Sequence, residues 1–263
     1  MDALDASWTP PPRNLALGDD EVHVWCANVA LAAAVQLPWL AQLLSDDERR
    51  RAARFYFERD RARFSAARGL LRSLLGGYLG VEPTQLVFTY ALHGKPMLAE
   101  LPVPSDLQFN LAHADELAVY AFTRRRRLGV DIELIRHIPD ADQIARRFFS
   151  IREQKRLAAL SPGEKEISFF NCWTRKEAYV KALGEGLSRP LDQFDVTLAP
   201  GEPAQLLAVA NSPEEPGRWS FQESAPARGY VGALAVEGRD WRLSRWRWTP
   251  EAGPAPPPIF RGF

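Results

Sequence analysis

The sequence has little cysteine and no net charge, and each shortage argues against a class of function. Its two cysteines, Cys26 and Cys172, form no C-x-x-C pair and have no histidine at ligand spacing, so we expect no zinc site. We expect two free thiols in a reducing cytosol, with a single disulfide as the alternative. The 33 basic and 33 acidic side chains cancel, so the chain has no bulk attraction for nucleic acid or an anionic membrane.

Long apolar runs are also missing. The richest, residues 29–44, is interrupted by Gln36, Pro38 and Gln42 and is too short to cross a bilayer. Residues 1–20 carry acidic side chains and a Pro-Pro-Pro run in place of the basic and then apolar stretch of a secretory signal. We therefore expect a soluble, cytoplasmic protein.

The chain has a globular composition, with 46% apolar residues and a length that suits one large domain or two smaller ones. Strand and helix patterns interleave without strict alternation, which favours an α+β fold. The strand patterns at 117–122 and 128–135 should pair as a hairpin or meander. We divide the chain into a loose N-terminal segment, an N-terminal half, a C-terminal half and a Pro-rich tail, at 1–20, 21–127, 128–248 and 249–263.

Serine followed three residues later by glutamate marks a helix start, because each side chain caps the other residue's backbone amide. The pattern occurs at Ser45–Glu48, Ser150–Glu153 and Ser161–Glu164. The first of these helices should run in pieces to Tyr78, and the third should end near Leu183, before a glycine.

Two acidic residues alternate with apolar ones in the strand pattern at 128–135. In a strand, Val130 and Ile132 would face one side, while Asp131 and Glu133 would face the other. Two carboxylates on one face repel each other, and a hard divalent cation such as Mg²⁺ would compensate. The alternative is a solvated outer face of a half-buried strand, which this spacing alone does not exclude.

A second group of polar residues follows a helical stripe. Trp173, Glu177 and Lys181 recur at every fourth position, so they should share one face of a helix. Glu177 could be a third metal ligand or a base, and Lys181 could contact phosphate oxygens. The alternative is an ordinary Glu–Lys surface pair beside a core tryptophan.

Several cations could contact phosphate. His113 ends a strand pattern, Lys95 lies between a glycine and a proline, and one or two arginines of the 49–72 region could bind phosphate in a bidentate manner. Plain solvation is the alternative for each of them.

The order and combination of these signals resemble the 4′-phosphopantetheinyl transferase superfamily. The matching strings are Gly-Val-Asp-Ile-Glu at 129–133, Arg-Arg-Phe-Phe-Ser at 146–150 and Trp-Thr-Arg-Lys-Glu-Ala at 173–178, with Lys181 beyond them. The length resembles the larger, Sfp-like type, which activates carrier domains of polyketide and nonribosomal peptide synthetases in secondary metabolite biosynthesis.

The resemblance implies a monomer of two similar α+β halves in a pseudo-two-fold arrangement, with coenzyme A and Mg²⁺ in the cleft between them. It implies transfer of the 4′-phosphopantetheine arm of coenzyme A to a serine of an apo acyl or peptidyl carrier protein, with release of 3′,5′-ADP. The implied metal ligands are Asp131, Glu133 and Glu177. Glu177 and Lys181 would be catalytic, and the implied coenzyme A phosphate contacts are Lys95, His113, Arg51 and Arg63.

Two other functions use the same residues. A metal-dependent phosphohydrolase would need the carboxylates but no acceptor protein. A non-catalytic module would bind coenzyme A or a carrier domain without turnover.

Overall fold

The computed structural model describes residues 7–12, 16–90, 96–99, 105–184 and 189–250. In the first half of the chain the elements are β1 (Glu21–Asn28), α1 (Val29–Gln42), α2 (Asp46–Ala52), α3 (Glu58–Leu79), β2 (Phe88–Tyr90), β3 (Pro96–Leu98), β4 (Leu107–Ala114) and β5 (Leu117–Arg124). In the second half they are β6 (Leu128–Leu134), α4 (Ala141–Phe148), α5 (Ile151–Ala159), α6 (Pro162–Leu183), β7 (Phe194–Val196), β8 (Leu206–Val209), α7 (Glu215–Arg218), β9 (Trp219–Glu223), β10 (Tyr230–Glu237) and β11 (Arg242–Arg247).

The two halves repeat one arrangement. In the first, the antiparallel strands lie in the order β1-β5-β4, and in the second they lie in the order β6-β10-β9. Each half inserts a 22-residue helix, α3 or α6, and a small two-stranded hairpin between its first strand and its last two. The predicted α+β fold with two similar halves is confirmed.

The last strand crosses between the halves. β11 follows the second-half strands in the chain but pairs in parallel with β1. Near the N-terminus, Thr9 bridges to Trp246 of β11, and Trp8 is buried. The boundary that we placed after residue 127 stays a prediction.

The expected pairing of segments 117–122 and 128–135 is wrong. β5 pairs with β1 and β4, whereas β6 pairs with β10. The turn between β5 and β6, in which Arg125 has a φ of 61°, leads the chain into the second sheet. The reason is burial, because the apolar faces of the two sheets pack against each other in one shared core, with β5 contributing Val119 and β6 contributing Val130.

Two further clusters complete the core. One lies between α3 and the first sheet and includes Trp25 and Leu70. The other lies between α6 and the second sheet and includes Tyr179 and Ala233. Each long helix therefore covers the outer face of its own sheet.

The predicted helix starts are confirmed at α2, α5 and α6, each of which has a capping box. α3 and α6 end at Gly80 and Gly184, which adopt left-handed conformations with φ of 67° and 78°. The sequence did not reveal α1, which begins at an Asn28 cap and contains Pro38. Among the described residues, no helix has the length and apolar content needed to cross a bilayer.

Stability should depend on pH through His23, a buried residue of β1. Trp25 Nε1 donates to Tyr78 Oη at 2.8 Å, and Tyr78 Oη lies 2.8 Å from His23 Nδ1. His23 Nε2 faces Glu21 Oε2 at 3.5 Å, so the neutral ring carries its proton on Nε2 and accepts from Tyr78 at Nδ1. That nitrogen must be unprotonated to accept, and burial, partly opposed by Glu21, lowers the pKa of His23 to about 4.

Because the folded pKa lies below the unfolded value of 6.5, the unfolded state binds more protons between these two pH values. We therefore expect the free energy of unfolding to fall by up to about 3 kcal/mol as the pH drops from 6.5 to 4. Urea unfolding of the wild type and of His23→Gln across this range is the measurement. Parallel curves for the two proteins would contradict the assignment.

Candidate active site

The site begins with a close approach between β6 and α6. A Cβ atom on Gly129 would lie 2.1 Å from the carbonyl oxygen of Ala178 and 2.4 Å from the amide nitrogen of Ala182. Only glycine allows this contact between strand and helix backbones. The approach places the half-buried stripe of α6 that carries Glu177 and Lys181 beside the acidic side of β6.

Asp131 and Lys181 meet across this contact. Lys181 Nζ lies 2.7 Å from Asp131 Oδ1 and donates to the carbonyl oxygen of Val130 at 3.2 Å. Val130 and Ile132 face the core between the sheets, as the strand alternation predicts. Burial raises the pKa of Asp131, while Lys181 and His113 lower it.

The other polar group of Val130 is bound from the first half. The Val130 amide donates to Asn110 Oδ1 at 2.9 Å, and Asn110 is buried in β4. This hydrogen bond joins the first sheet to β6. Sequence spacing could not reveal this contact, because it depends on how two distant segments pack.

Asn110→Leu should reduce the free energy of unfolding by about 1–3 kcal/mol, since the buried Val130 amide loses its acceptor. The matched control is Gln108→Leu on the same strand, because Gln108 is exposed, and it should change stability by no more than about 0.5 kcal/mol. Urea unfolding of both variants is the test. Equal losses would show that Asn110 has no special role in joining the sheets.

Glu133 and Glu177 complete an acidic group with Asp131. Burial contributes most to the raised pKa of Glu177, and the charges of Asp131 and Glu133 add to it, while Lys181 opposes them. Burial followed by the charge of Asp131 raises the pKa of Glu133, against the effect of Arg136, whose Nη1 lies 3.9 Å from Glu133 Oε2. The three carboxylates from β6 and α6 therefore act on one another electrostatically.

The first half contributes two basic side chains to the same place. His113 lies on β4, with its side chain accessible to solvent. Reduced hydration lowers the pKa of His113, as do the charges of Lys181 and Arg51, while Asp131 raises it. Arg51 belongs to α2, and its guanidinium lies 5.4 Å from the centre of the Phe64 ring. The group of charges thus spans both halves.

The other two expected phosphate contacts are not placed in this group. Arg63 lies on α3, and its guanidinium is 2.9 Å from Glu116 and 3.4 Å from Asp115, in the turn between β4 and β5. Lys95 lies outside the described residues.

The carboxylates have the chemistry of a site for a hard cation. All their donors are oxygens, as Mg²⁺ prefers, and Asp131 Oδ2 is buried with no hydrogen-bond partner among the described residues. Among all the residues that the structure describes, no three histidine, cysteine, aspartate or glutamate side chains lie close enough together to hold a metal ion. The other carboxylate oxygen of Asp131, Oδ1, forms the ion pair with Lys181.

Two residues of the 173–178 string prove to be structural. Arg175 is buried and donates to Thr197 Oγ1 and to Glu223 Oε1, each at 2.9 Å. Lys176 is buried against Glu153. The sequence string did not distinguish them from Glu177, because their burial is evident only from the packing of α6.

Family models match both halves of the chain. One described as "4′-phosphopantetheinyl transferase superfamily" matches residues 127–235, and one described as "4′-phosphopantetheinyl transferase, N-terminal" matches residues 33–124. The first of these ranges contains the carboxylates of β6 and α6, and the second contains His113.

Relatives agree with the family models. The 4′-phosphopantetheinyl transferase HetI of a Nostoc species is 43% identical over 245 residues, which cover 93% of this chain and 100% of that protein. The 4′-phosphopantetheinyl transferase Sfp of Bacillus subtilis is 34% identical over 155 residues, 60% of this chain and 66% of Sfp. The human L-aminoadipate-semialdehyde dehydrogenase-phosphopantetheinyl transferase is 27% identical over 232 residues, 82% of this chain and 75% of the human protein. The chain therefore belongs to the 4′-phosphopantetheinyl transferase superfamily, which confirms the resemblance found in the sequence.

Proposed function

We propose that this protein transfers the 4′-phosphopantetheine arm of coenzyme A to a serine of an apo acyl or peptidyl carrier protein domain. The observation that carries the proposal is the meeting of Asp131, Glu133 and Glu177 with Lys181 and His113 where the two halves join. Transfer forms a bond between the serine oxygen and the β-phosphorus of coenzyme A. It breaks the diphosphate bond and releases 3′,5′-ADP.

Asp131, Glu133 and Glu177 are the residues that would hold Mg²⁺. The buried Asp131 Oδ2, which has no hydrogen-bond partner among the described residues, supports this assignment. When bound, Mg²⁺ supplies charge neutralisation at the diphosphate of coenzyme A. Lys181 Nζ would then leave Asp131 Oδ1 for a phosphate oxygen.

Glu177 would accept the proton of the carrier serine. A carboxylate is a suitable acceptor for this proton when it lies within hydrogen-bond reach of the serine hydroxyl. Lys181 would contact the phosphoryl group in transfer, and His113 and Arg51 would bind phosphate oxygens from the first half.

Arg63 and Lys95 remain proposed coenzyme A contacts. Binding through Arg63 would require it to exchange Glu116 and Asp115 for phosphate. The finer expectations, a monomer that acts in the cytoplasm on carriers of secondary metabolism, stay predictions from the resemblance.

The test is the intact mass of an apo carrier domain after incubation with the protein, Mg²⁺ and coenzyme A. We expect a gain of one phosphopantetheine that EDTA abolishes. Release of phosphate without carrier modification would favour a phosphohydrolase. Coenzyme A binding without any turnover would favour a binding module.

A further inference from the structure

A buried ion pair lies on a different side of α6 from Glu177, about 100° around the helix axis. Lys176, the residue before Glu177, is fully buried, and its Nζ lies 2.8 Å from Glu153 Oε2. The same nitrogen donates to the carbonyl oxygens of Leu191 at 2.7 Å and Phe194 at 2.6 Å. An ammonium group has three protons to donate. All three have acceptors here, which fixes this point of α6 relative to α5 and to the segment that leads into β7.

Glu153 connects the pair to the rest of the second half. Its Oε2 also accepts from the Ser150 amide at 2.8 Å, at the start of α5. Its Oε1 accepts from the Val196 amide of β7 at 2.8 Å. One carboxylate therefore ties α5, β7 and α6 together.

The first half contains an equivalent pair. Glu48 holds the same place in the capping box of α2, and its Oε2 lies 2.6 Å from Arg72 Nε. Its Oε1 lies 3.0 Å from Nε of a second buried arginine, Arg68, where Glu153 has the Val196 amide instead. Arg72 Nη1 donates to the carbonyl oxygens of Pro83 and Leu86, each at 2.9 Å. Arg72 is the fifteenth residue of α3, as Lys176 is of α6. The pair thus belongs to the scaffold that both halves share.

The residues of the candidate site are not repeated. By helix position and strand pairing, Asp131, Glu133, Glu177 and Lys181 correspond in the first half to Trp25, Ala27, Ser73 and Gly77. Both halves therefore contain a buried ion pair at this place, but only the second half has carboxylates at the positions that the pair supports. Its role in the second half can be separated from general stability by comparison with the first.

We infer that Glu153 is a positioning residue for phosphopantetheine transfer, an inference that rests on the proposed function. Through Lys176 it fixes the rotation of α6, so that Glu177 and Lys181 lie against Asp131. Glu48 holds α2, the helix that carries Arg51, so its effect falls on coenzyme A binding.

The test compares Glu153→Gln with Glu48→Gln in steady-state transfer to an apo carrier domain, with rates expressed per folded protein by circular dichroism. For Glu153→Gln we expect kcat to fall about 10- to 100-fold, because small displacements of reacting groups are costly, while KM for coenzyme A stays within about threefold. For Glu48→Gln we expect KM for coenzyme A to rise about three- to tenfold, with kcat within about twofold. Equal losses of kcat in the two variants would overturn the inference.

Two further measurements apply if Glu153→Gln does not fold or if the wild type is inactive. If Glu153→Gln does not fold, the double variant Glu153→Leu/Lys176→Met removes both buried charges at similar volume. Wild-type kcat in the folded double variant would overturn the inference.

If the wild type transfers nothing, the proposed function fails, and amide hydrogen exchange then decides the structural part. Glu153→Gln should speed exchange in α6 more than in α3, and Glu48→Gln should do the reverse. Uniform changes in both helices would overturn the positioning role.

Discussion

Glu177→Gln should lower the rate of phosphopantetheine transfer by about 10²- to 10⁴-fold, the range typical for loss of a general base. Glutamine preserves the size of the side chain on α6 but cannot accept the serine proton. The half-buried position of Glu177 tolerates a neutral group, since burial and neighbouring carboxylates already oppose its charge. The measurement is the initial rate of carrier modification, with circular dichroism as a check on folding.

The matched control is Glu166→Gln on the same helix. Glu166 is exposed and lies 3.0 Å from His137, so its replacement should leave the rate within about twofold and stability within about 0.5 kcal/mol. A normal rate in Glu177→Gln would remove both proposed roles of this residue. If the rate falls, raising the Mg²⁺ concentration separates the two roles. Excess Mg²⁺ restores the rate when the variant only binds the ion more weakly, but not when the general base is missing.

The acidic group was predictable because it depends on local periodicity. Alternation along β6 places Asp131 and Glu133 on one face, and the four-residue spacing on α6 places Glu177 and Lys181 on one stripe. These patterns hold whatever the rest of the chain does, once the strand and the helix form. The fold class followed in the same way, from interleaved strand and helix signals.

Contacts between distant segments were not predictable. Spacing gives the face on which Arg63 lies but not the carboxylates of Glu116 and Asp115 that it meets. Spacing also suggested that β6 would pair with β5, the strand before it. Instead β6 pairs with β10, because the apolar faces of the two sheets are buried against each other. The resemblance predicted two similar halves, but the residue patterns alone did not, since the two halves fill equivalent positions with different residues; strand order shows the duplication directly.

The two halves share one backbone arrangement but differ in the side chains between the first strand and the long helix. In the first half, the side of β1 that faces α3 is filled by Trp25 and by the hydrogen bonds of Tyr78 and His23. In the second half, the equivalent side of β6 begins with Gly129 and continues with carboxylates. In the first half this space is therefore part of the core, whereas in the second half it holds the carboxylates of the candidate site.

Gly129→Ala should therefore disturb both stability and transfer. The added Cβ would lie 2.1 Å and 2.4 Å from backbone atoms of α6, so the helix must move away from β6. We expect the free energy of unfolding to fall by about 3 kcal/mol, as in severe overpacking. Moving Glu177 and Lys181 away from Asp131 should lower the transfer rate about 10²-fold.

The matched control is Gly163→Ala, near the start of the same helix. A Cβ atom on Gly163 meets nothing within 4 Å, so alanine should stabilise the protein by about 0.4–1 kcal/mol and leave the rate unchanged. Thermal unfolding and carrier modification of the two variants are compared side by side. A Gly129→Ala protein that keeps the wild-type rate would show that the close contact of β6 with α6 does not set the geometry of the site. Loss of stability with a normal rate per folded protein would restrict Gly129 to packing.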